Sequence, residues 1–533
     1  MNLPEAFAHW QTLLGAEHVL DASAAQIRYG ADTTGAERRI AGALRVRSRE
    51  QIPALVRIAH ECRTPLYPIS TGRNWGYGTA LPVHDDGVIL DLSGLAAILD
   101  FDAELGVVTL EPGVTQALLA EFLDRHAHPY LVPVTGAGPQ CSLIGNALER
   151  GYGVTPHTDH FAAVTDLEAV LADGSVYQTR LHEVAGAELA SLFKWGIGPY
   201  FPGLFTQSGF GIVTRMSIAL TRKPDCVQAF LFSLKDDSLL ELAVQQIQGV
   251  LARLPGAVGA INLMNQRRVL AMSAPFPAHR LDAQGLIPAE VLAELGRAYQ
   301  ILPWTGFGTL YGAHAVARAA RAEIRSALRG VASRLLFVTP ERAERLASLA
   351  RWLPGALGGR LARSAALLSR SLQLVAGRPN ETALPLCYWR ADQAPPAQNL
   401  DPARDGCGLI WYAPLVPMKA AKVRDYVDFV TRTASSFGVE PLITLTSLSD
   451  KVFDSTVPLL FERASAAAVG NAQRCYAALM SGGQAKGFFP YRVGVDSMRW
   501  LAECAPESAD LGVRLKAVLD PHRILAPGRY ESG

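Results

Sequence analysis

No C-x-x-C pair, no apolar run long enough to cross a bilayer and no excess of either charge occurs in the sequence, and each absence removes a class of function. The seven cysteines, at positions 62, 141, 226, 387, 407, 475 and 504, are odd in number and widely spaced. They signal neither a disulfide framework nor a zinc site, and no metal is expected. A helical span needs about eighteen or more consecutive apolar residues, which no segment supplies. Lys plus Arg total 50 against 49 Asp plus Glu, so no net field steers the chain onto nucleic acid or an anionic membrane. The opening Met1-Asn2-Leu3-Pro4-Glu5-Ala6 lacks a basic segment followed by an apolar one, which sets the expectation of a cytoplasmic protein. No internal repeat or low-complexity linker is present. Nor does a G-x-G-x-x-G open a helix in a βαβ unit, as a nicotinamide dinucleotide site would require.

What remains is a globular composition, 49% apolar and 19% charged over 533 residues, too long for one ordinary core. Residues 1–60 read as helical, most clearly 51–60, where apolar residues recur at helical spacing. A short strand at 66–70 runs into a glycine-rich turn, and alternating strands follow at 87–92 and 106–111. A second loop of glycine and small polar residues occupies 135–160. Strands at 169–172 and 175–177 flank Asp173-Gly174, a hairpin signal, and 209–214 enters another strand. From 225 to about 460 the pattern changes to strands such as 229–232 and Ala/Arg/Leu-rich helices around 315–372. Within it, 344–374 reads as a solvated helical face, with a membrane-seeking amphipathic element as the alternative. The Pro-punctuated segment 520–529 returns to the first domain.

The glycine loops carry the chemistry. A diphosphate needs several backbone N–H groups at close range, and glycine permits both the backbone angles and the approach. The run Ile69-Ser70-Thr71-Gly72-Arg73-Asn74-Trp75-Gly76-Tyr77-Gly78 has the required density of small residues. So has 133–147, which contains Gly136, Gly138, Cys141, Ser142, Gly145 and Asn146 and is followed by Gly151-Tyr152-Gly153-Val154-Thr155-Pro156-His157-Thr158-Asp159-His160-Phe161. Two such loops in a β-rich region fit one extended dinucleotide better than two unrelated turns.

At these residues the sequence resembles the FAD-binding family of vanillyl-alcohol oxidase, eugenol oxidase and p-cresol methylhydroxylase. The resemblance continues through 198–214, Phe488-Phe489-Pro490-Tyr491-Arg492 and Ile524-Leu525-Ala526-Pro527-Gly528. It implies an α+β fold: an FAD-binding domain built from 1–224 and completed by the C-terminal segment 466–533, with an inserted α+β substrate cap over 225–465. FAD is the implied cofactor. The implied contacts to it are Ser70, Thr71, Gly72, Arg73, Asn74 and Gly76 in the first loop. The second loop and its sequel contribute Gly136, Cys141, Ser142, Gly145, Asn146, Gly153 and His160, and Gly211, Ile212, Val213 and Arg529 complete the set.

Hydride loss from a benzylic carbon leaves a cation unless a para phenolate feeds electrons into the ring, so donors and a positive charge must converge on the phenolate oxygen. In the family a tyrosine of the first glycine loop and a Tyr-Arg pair do this, and the matching positions are Tyr77, Tyr491 and Arg492. Asp159 matches an acid near flavin N5 that assists hydride transfer and the fate of the quinone methide. The implied activity is oxidation of a para-substituted phenol, with dioxygen or an electron-transfer protein as final acceptor. The alternative is a same-fold oxidase of a non-phenolic alcohol, amine or biosynthetic intermediate, in which Tyr77, Tyr491 and Arg492 grip another polar group such as a carboxylate. A homodimer is implied by analogy with the family.

Several members bind FAD covalently through a histidine or tyrosine late in the cap, yet no histidine lies between His314 and His522. Tyr412 and Tyr388 are conceivable anchors. Cys141 is another, because berberine-bridge-type oxidases of the wider superfamily carry a flavin-linked cysteine at a similar place. A noncovalent flavin stands beside all three. Trp304, Phe307, Tyr311, Tyr388, Trp389 and Trp411 are candidates for the cap lining by aromatic character alone.

Overall fold

In the computed structural model, which describes residues 2–350, 352 and 355–531, the strand Leu66–Ile69 pairs in parallel with Gly87–Asp91, which pairs in parallel with Ile40–Arg45. Val19–Leu20 adds an antiparallel edge to this four-stranded sheet. The crossover helix Ile52–Glu61 buries Ile52, Leu55, Val56 and Ala59, the i, i+3, i+4, i+7 stripe expected of it. Two expectations are corrected. Val19–Leu20 and Ile40–Arg45 are strands inside the segment read as helical, because short apolar runs carry no decisive periodicity and pairing with distant partners decides. Gly87–Asp91 is buried throughout rather than alternating, as a strand covered on both faces must be.

A five-stranded antiparallel sheet runs Ile98–Asp102, Val107–Leu110, Ile212–Ala219, Val164–Val170 and Val176–Gln178. The expected hairpin forms at Asp173-Gly174, with Gly174 at φ +79°.

The largest sheet has nine strands. In it Val258–Asn265, Thr444–Ser447 and Val452–Glu462 are consecutive neighbours. Its two faces differ residue by residue. Ile261, Leu263, Leu445, Phe453 and Val457 belong to a core shared with the helices Leu240–Arg253 and Ala420–Ser436. The alternate residues Asn262, Met264, Thr444, Thr446 and Thr456 line a cavity. Cross-strand register places Met264, Thr444 and Thr456 in one row and Asn262, Thr446 and Asp454 in the next.

The Ala/Arg/Leu-rich segment forms the helices Pro340–Ala350 and Gly355–Val375, the first burying Ala343, Ala347 and Ala350 while Leu346, Leu349 and Trp352 stay exposed. Residues 351, 353 and 354 of that expectation lie outside the described residues. Among the described residues no helix is long and apolar enough to cross a membrane.

The C-terminal segment pairs with the first sheet. Leu525 bridges Leu66 in parallel, with Leu66 N donating to Ile524 O at 2.7 Å and Ala526 N to Leu66 O at 2.8 Å. Lys516, fully buried, fixes this return by donating to Gly209 O and Leu525 O, both at 2.7 Å, beside Asp520 at 2.9 Å and Glu531 at 3.3 Å.

Candidate active site

Both glycine loops open onto one cavity of about 580 Å³. The first leaves the strand Leu66–Ile69 and brings Ser70, Thr71, Gly72, Arg73 and Asn74 to the wall; the second brings Gly136, Cys141, Ser142, Gly145 and Asn146. The loops touch, for a Cβ at Gly145 would stand 2.4 Å from Ser70 Oγ. Ser142 caps the short helix Leu143–Leu148, its hydroxyl accepting from Gly145 N at 2.9 Å. Gly211, Ile212, Val213 and Arg529 complete this part of the wall.

Tyr77 and Arg492 line the same cavity, with the guanidinium carbon 4.3 Å from the Tyr77 ring centroid. Glu149 clamps two arginines, Arg492 across 3.2 Å and Arg529 on its other oxygen. Arg492 also donates to Asn74 Oδ1, and Arg529 to the Tyr67 hydroxyl at 2.9 Å. Tyr491, next to Arg492 in the chain, does not line the cavity; its ring lies edge-on to Tyr152 at 5.5 Å, and the Gln207 amide donates to its carbonyl at 3.0 Å. Burial pushes the Tyr77 phenol well above its ordinary range, opposed by Arg492; burial and then Asp454 do the same to Tyr491. Both therefore stay protonated at neutral pH. Asp454 is 4% exposed, its Oδ1 has no partner, and burial lifts its carboxyl to about 7. It shares a strand face with cavity-lining Thr456.

Other expected residues lie elsewhere. Asp159 stands in a turn: Oδ1 accepts from Ala162 N at 3.0 Å and its backbone bridges Tyr152, so it is one residue behind the Tyr491 ring and not in the cavity wall. Gly76, Gly153 and His160 shape the wall from behind. Gly76, at φ +78°, leaves room for the Trp411 ring, which a Cβ would approach to 2.3 Å. Gly153 leaves room for His160, whose Nδ1 lies 2.5 Å from the Asn146 amide nitrogen, and burial holds that imidazole down at about 4, hence neutral. Cys141 lines the cavity, its thiol raised by burial.

Neither tyrosyl anchor reaches the cavity. Alternation along the strand Cys407–Tyr412 turns Trp411 into it and Tyr412 into the core, onto Gly483 and Tyr476. Tyr388 donates to Asp405 at 2.6 Å. Of the aromatic cap candidates Phe307 and Trp411 line the cavity. Trp304 donates instead to Asp237 at 2.7 Å, Trp389 to Ala274 O at 2.9 Å, and Tyr311 to Val154 O and Val375 O, each at 2.9 Å.

Residues 40–180 match the model of an FAD binding domain. Over 532 residues the chain is 35% identical to 1'-carboxy-chondrochloren decarboxylase of Chondromyces crocatus, covering 99% of this chain and 97% of that protein. It is 24% identical over 530 residues to the flavoprotein subunit of the hydroxylating 4-cresol dehydrogenase of Pseudomonas putida, covering 98% and 95%. The chain belongs to the vanillyl-alcohol oxidase and p-cresol methylhydroxylase family. Among the solved structures that share its fold are two phenol-oxidising flavoproteins. Substrate-bound p-cresol methylhydroxylase gives a TM-score of 0.87 at 24% identity, covering 100% of this chain and 97% of that one. The 4-ethylphenol oxidase of Gulosibacter chungangensis gives 0.88 at 23%, covering 99% and 97%.

This family member is thus an FAD-dependent oxidoreductase of the p-cresol methylhydroxylase type with the expected α+β fold. The geometry fits a dinucleotide: two loops brought into contact where glycine alone leaves space, a capped helix start at Ser142, and a wall of backbone and apolar groups. Sequence reasoning missed Glu149 and Arg268, both in the wall, and Asp454, which is not. Glu149 follows the second glycine loop directly and is a charge the loop pattern does not call for. Asp454 and Arg268 carry no local signal, since strand pairing places the first and the packing of the helix Gln266–Ser273 against Thr444 the second.

Proposed function

We propose that this flavoenzyme takes a para-substituted phenol as its phenolate and oxidises it at the α carbon. The observation that carries the reading is the Arg492 guanidinium over the Tyr77 ring in the cavity wall, with Tyr491 next to Arg492 in the chain and the buried carboxyl of Asp454 acting on both phenols. Donors and charge of this kind favour phenolate over phenol. Ser70, Thr71, Gly72, Asn74, Gly136, Ser142, Gly145, Asn146, Ile212 and Arg529 would hold the cofactor. Bound FAD supplies the hydride acceptor, and dioxygen or an electron-transfer protein then takes the electron pair. Loss of hydride from the phenolate leaves a neutral quinone methide. Asp454, ionised, accepts the proton of water adding to it and thereby gives an alcohol.

The decarboxylase relative favours a second fate for that quinone methide. With a carboxylate on the carbon next to the α carbon, the C–CO2 bond breaks and its electron pair forms the new C=C. The ring returns to phenolate, and CO2 leaves without a proton transfer.

Anaerobic mixing with 4-ethylphenol and with its O-methyl ether tests the reading. The phenol is expected to bleach the flavin and the ether to leave it oxidised; equal bleaching by the ether, or none by any para-alkylphenol, would contradict it. CO2 release from a phenolic acid separates the second fate from the first.

A further inference from the structure

Arg268 stands in the cavity wall without a counter-ion. It lies on the helix Gln266–Ser273, its Nε donates to Thr444 Oγ1 at 3.1 Å, and its buried Nη1 has no partner. Among the described residues no Asp or Glu pairs with it, and the nearest titratable group acting on it is the Cys387 thiol. Burial draws the guanidinium down to about 10, so it remains charged at neutral pH. The adjacent Arg267 shows how this helix treats an arginine that serves structure alone. It donates to Glu440 and to Ile287 O at 3.0 Å.

Burying a charge without a partner is costly, and a free side chain would swing its head to water. Arg268 is held instead. Asn265 caps the helix by accepting from Arg268 N at 2.9 Å, the Arg267–Glu440 pair anchors the same turn, and Thr444 fixes the guanidinium edge. Met264 and Met272 in the wall keep the surroundings apolar, which strengthens attraction for an anion. A planar fork of N–H donors suits a carboxylate.

The position indicates which anion. The first glycine loop leaves the four-stranded sheet and the second leads into the helix Leu143–Leu148, whereas Arg268 is tied to the large sheet through Thr444. Thr444 lies in the row next to that of Asp454, which acts on Tyr77 and Tyr491. Arg268 and Thr444 line the same cavity as Tyr77 and Arg492, from its large-sheet side. Resting on the phenol reading, we propose that Arg268 binds a carboxylate on the para side chain, which makes the preferred substrate a 4-hydroxyphenyl carboxylic acid.

The test uses flavin-loaded wild type, Arg268→Gln and Arg268→Lys. Dissociation constants for 3-phenylpropanoate and 3-phenylpropanol, read from perturbation of the flavin spectrum, need no phenol and no turnover. Half-saturation in anaerobic reduction by 3-(4-hydroxyphenyl)propanoate and 4-ethylphenol gives a second readout. The acid is expected to bind wild type more tightly than the alcohol, the Gln variant to lose at least about tenfold of that preference, and the Lys variant to keep part of it. Equal loss for acid and alcohol, or an unchanged preference, overturns the proposal even where phenols bleach the flavin. Loss of the acid preference with no phenol bleaching would sustain Arg268 as a carboxylate-binding group while removing the phenol reading.

Discussion

Asp454 couples the site to pH. Its carboxyl ionises at about 7 in the folded chain because burial disfavours the charge, against about 4 in an unfolded one. A raised folded-state value means that the stabilisation is complete below about pH 4 and is lost as pH rises to about 7, by up to roughly 4 kcal/mol. Urea unfolding across that window should show wild type losing stability toward neutral pH, and Asp454→Asn should remove that part of the slope. An identical slope in the variant would show that the carboxyl does not titrate there. Tyr77, Tyr491 and Arg492 were legible in the sequence because they stand inside short motifs. Asp454 and Arg268 were not, since an isolated Asp in a strand acquires meaning only from the register that sets it in the row beside cavity-lining Thr456, and an Arg on a helix only from the tertiary packing that brings the helix to the cavity.

The glycine loops were the most readable elements, because the demand for small residues at a diphosphate is local. The covalent link was not readable, since it depends on which face of a strand each residue takes. In Cys407–Tyr412 a shift of one residue would exchange Trp411 for Tyr412 in the cavity. With Tyr412 in the core, Tyr388 bonded to Asp405 and the Cys141 thiol raised by burial, FAD is expected to be noncovalent. Acid precipitation should leave the flavin in the supernatant; colour in the pellet, traced to a peptide containing Cys141, would show otherwise. The helical reading of residues 1–60 failed in the same way, where pairing with Gly87–Asp91 turned an ambiguous apolar run into the strand Ile40–Arg45.

The cavity draws its wall from both glycine loops, the large sheet and the C-terminal segment, so binding depends on how the chain closes on itself. Lys516 is the buried hub of that closure, and Arg529 lies on the segment it fixes. Lys516→Met leaves Asp520 and Glu531 buried without their cation and is expected to cost about 3–5 kcal/mol, with flavin lost at lower denaturant than in wild type. Equilibrium unfolding followed by flavin fluorescence and far-ultraviolet dichroism checks both.

On the proposed function, a phenol bound at this site is held as its phenolate. This is tested most directly with 4-(trifluoromethyl)phenol, which has no hydride to give, added to the holoenzyme below the pH at which the free phenol ionises. A phenolate difference spectrum is expected on binding, diminished in Tyr491→Phe and Arg492→Lys. Tight binding in the neutral phenol form by wild type would contradict it.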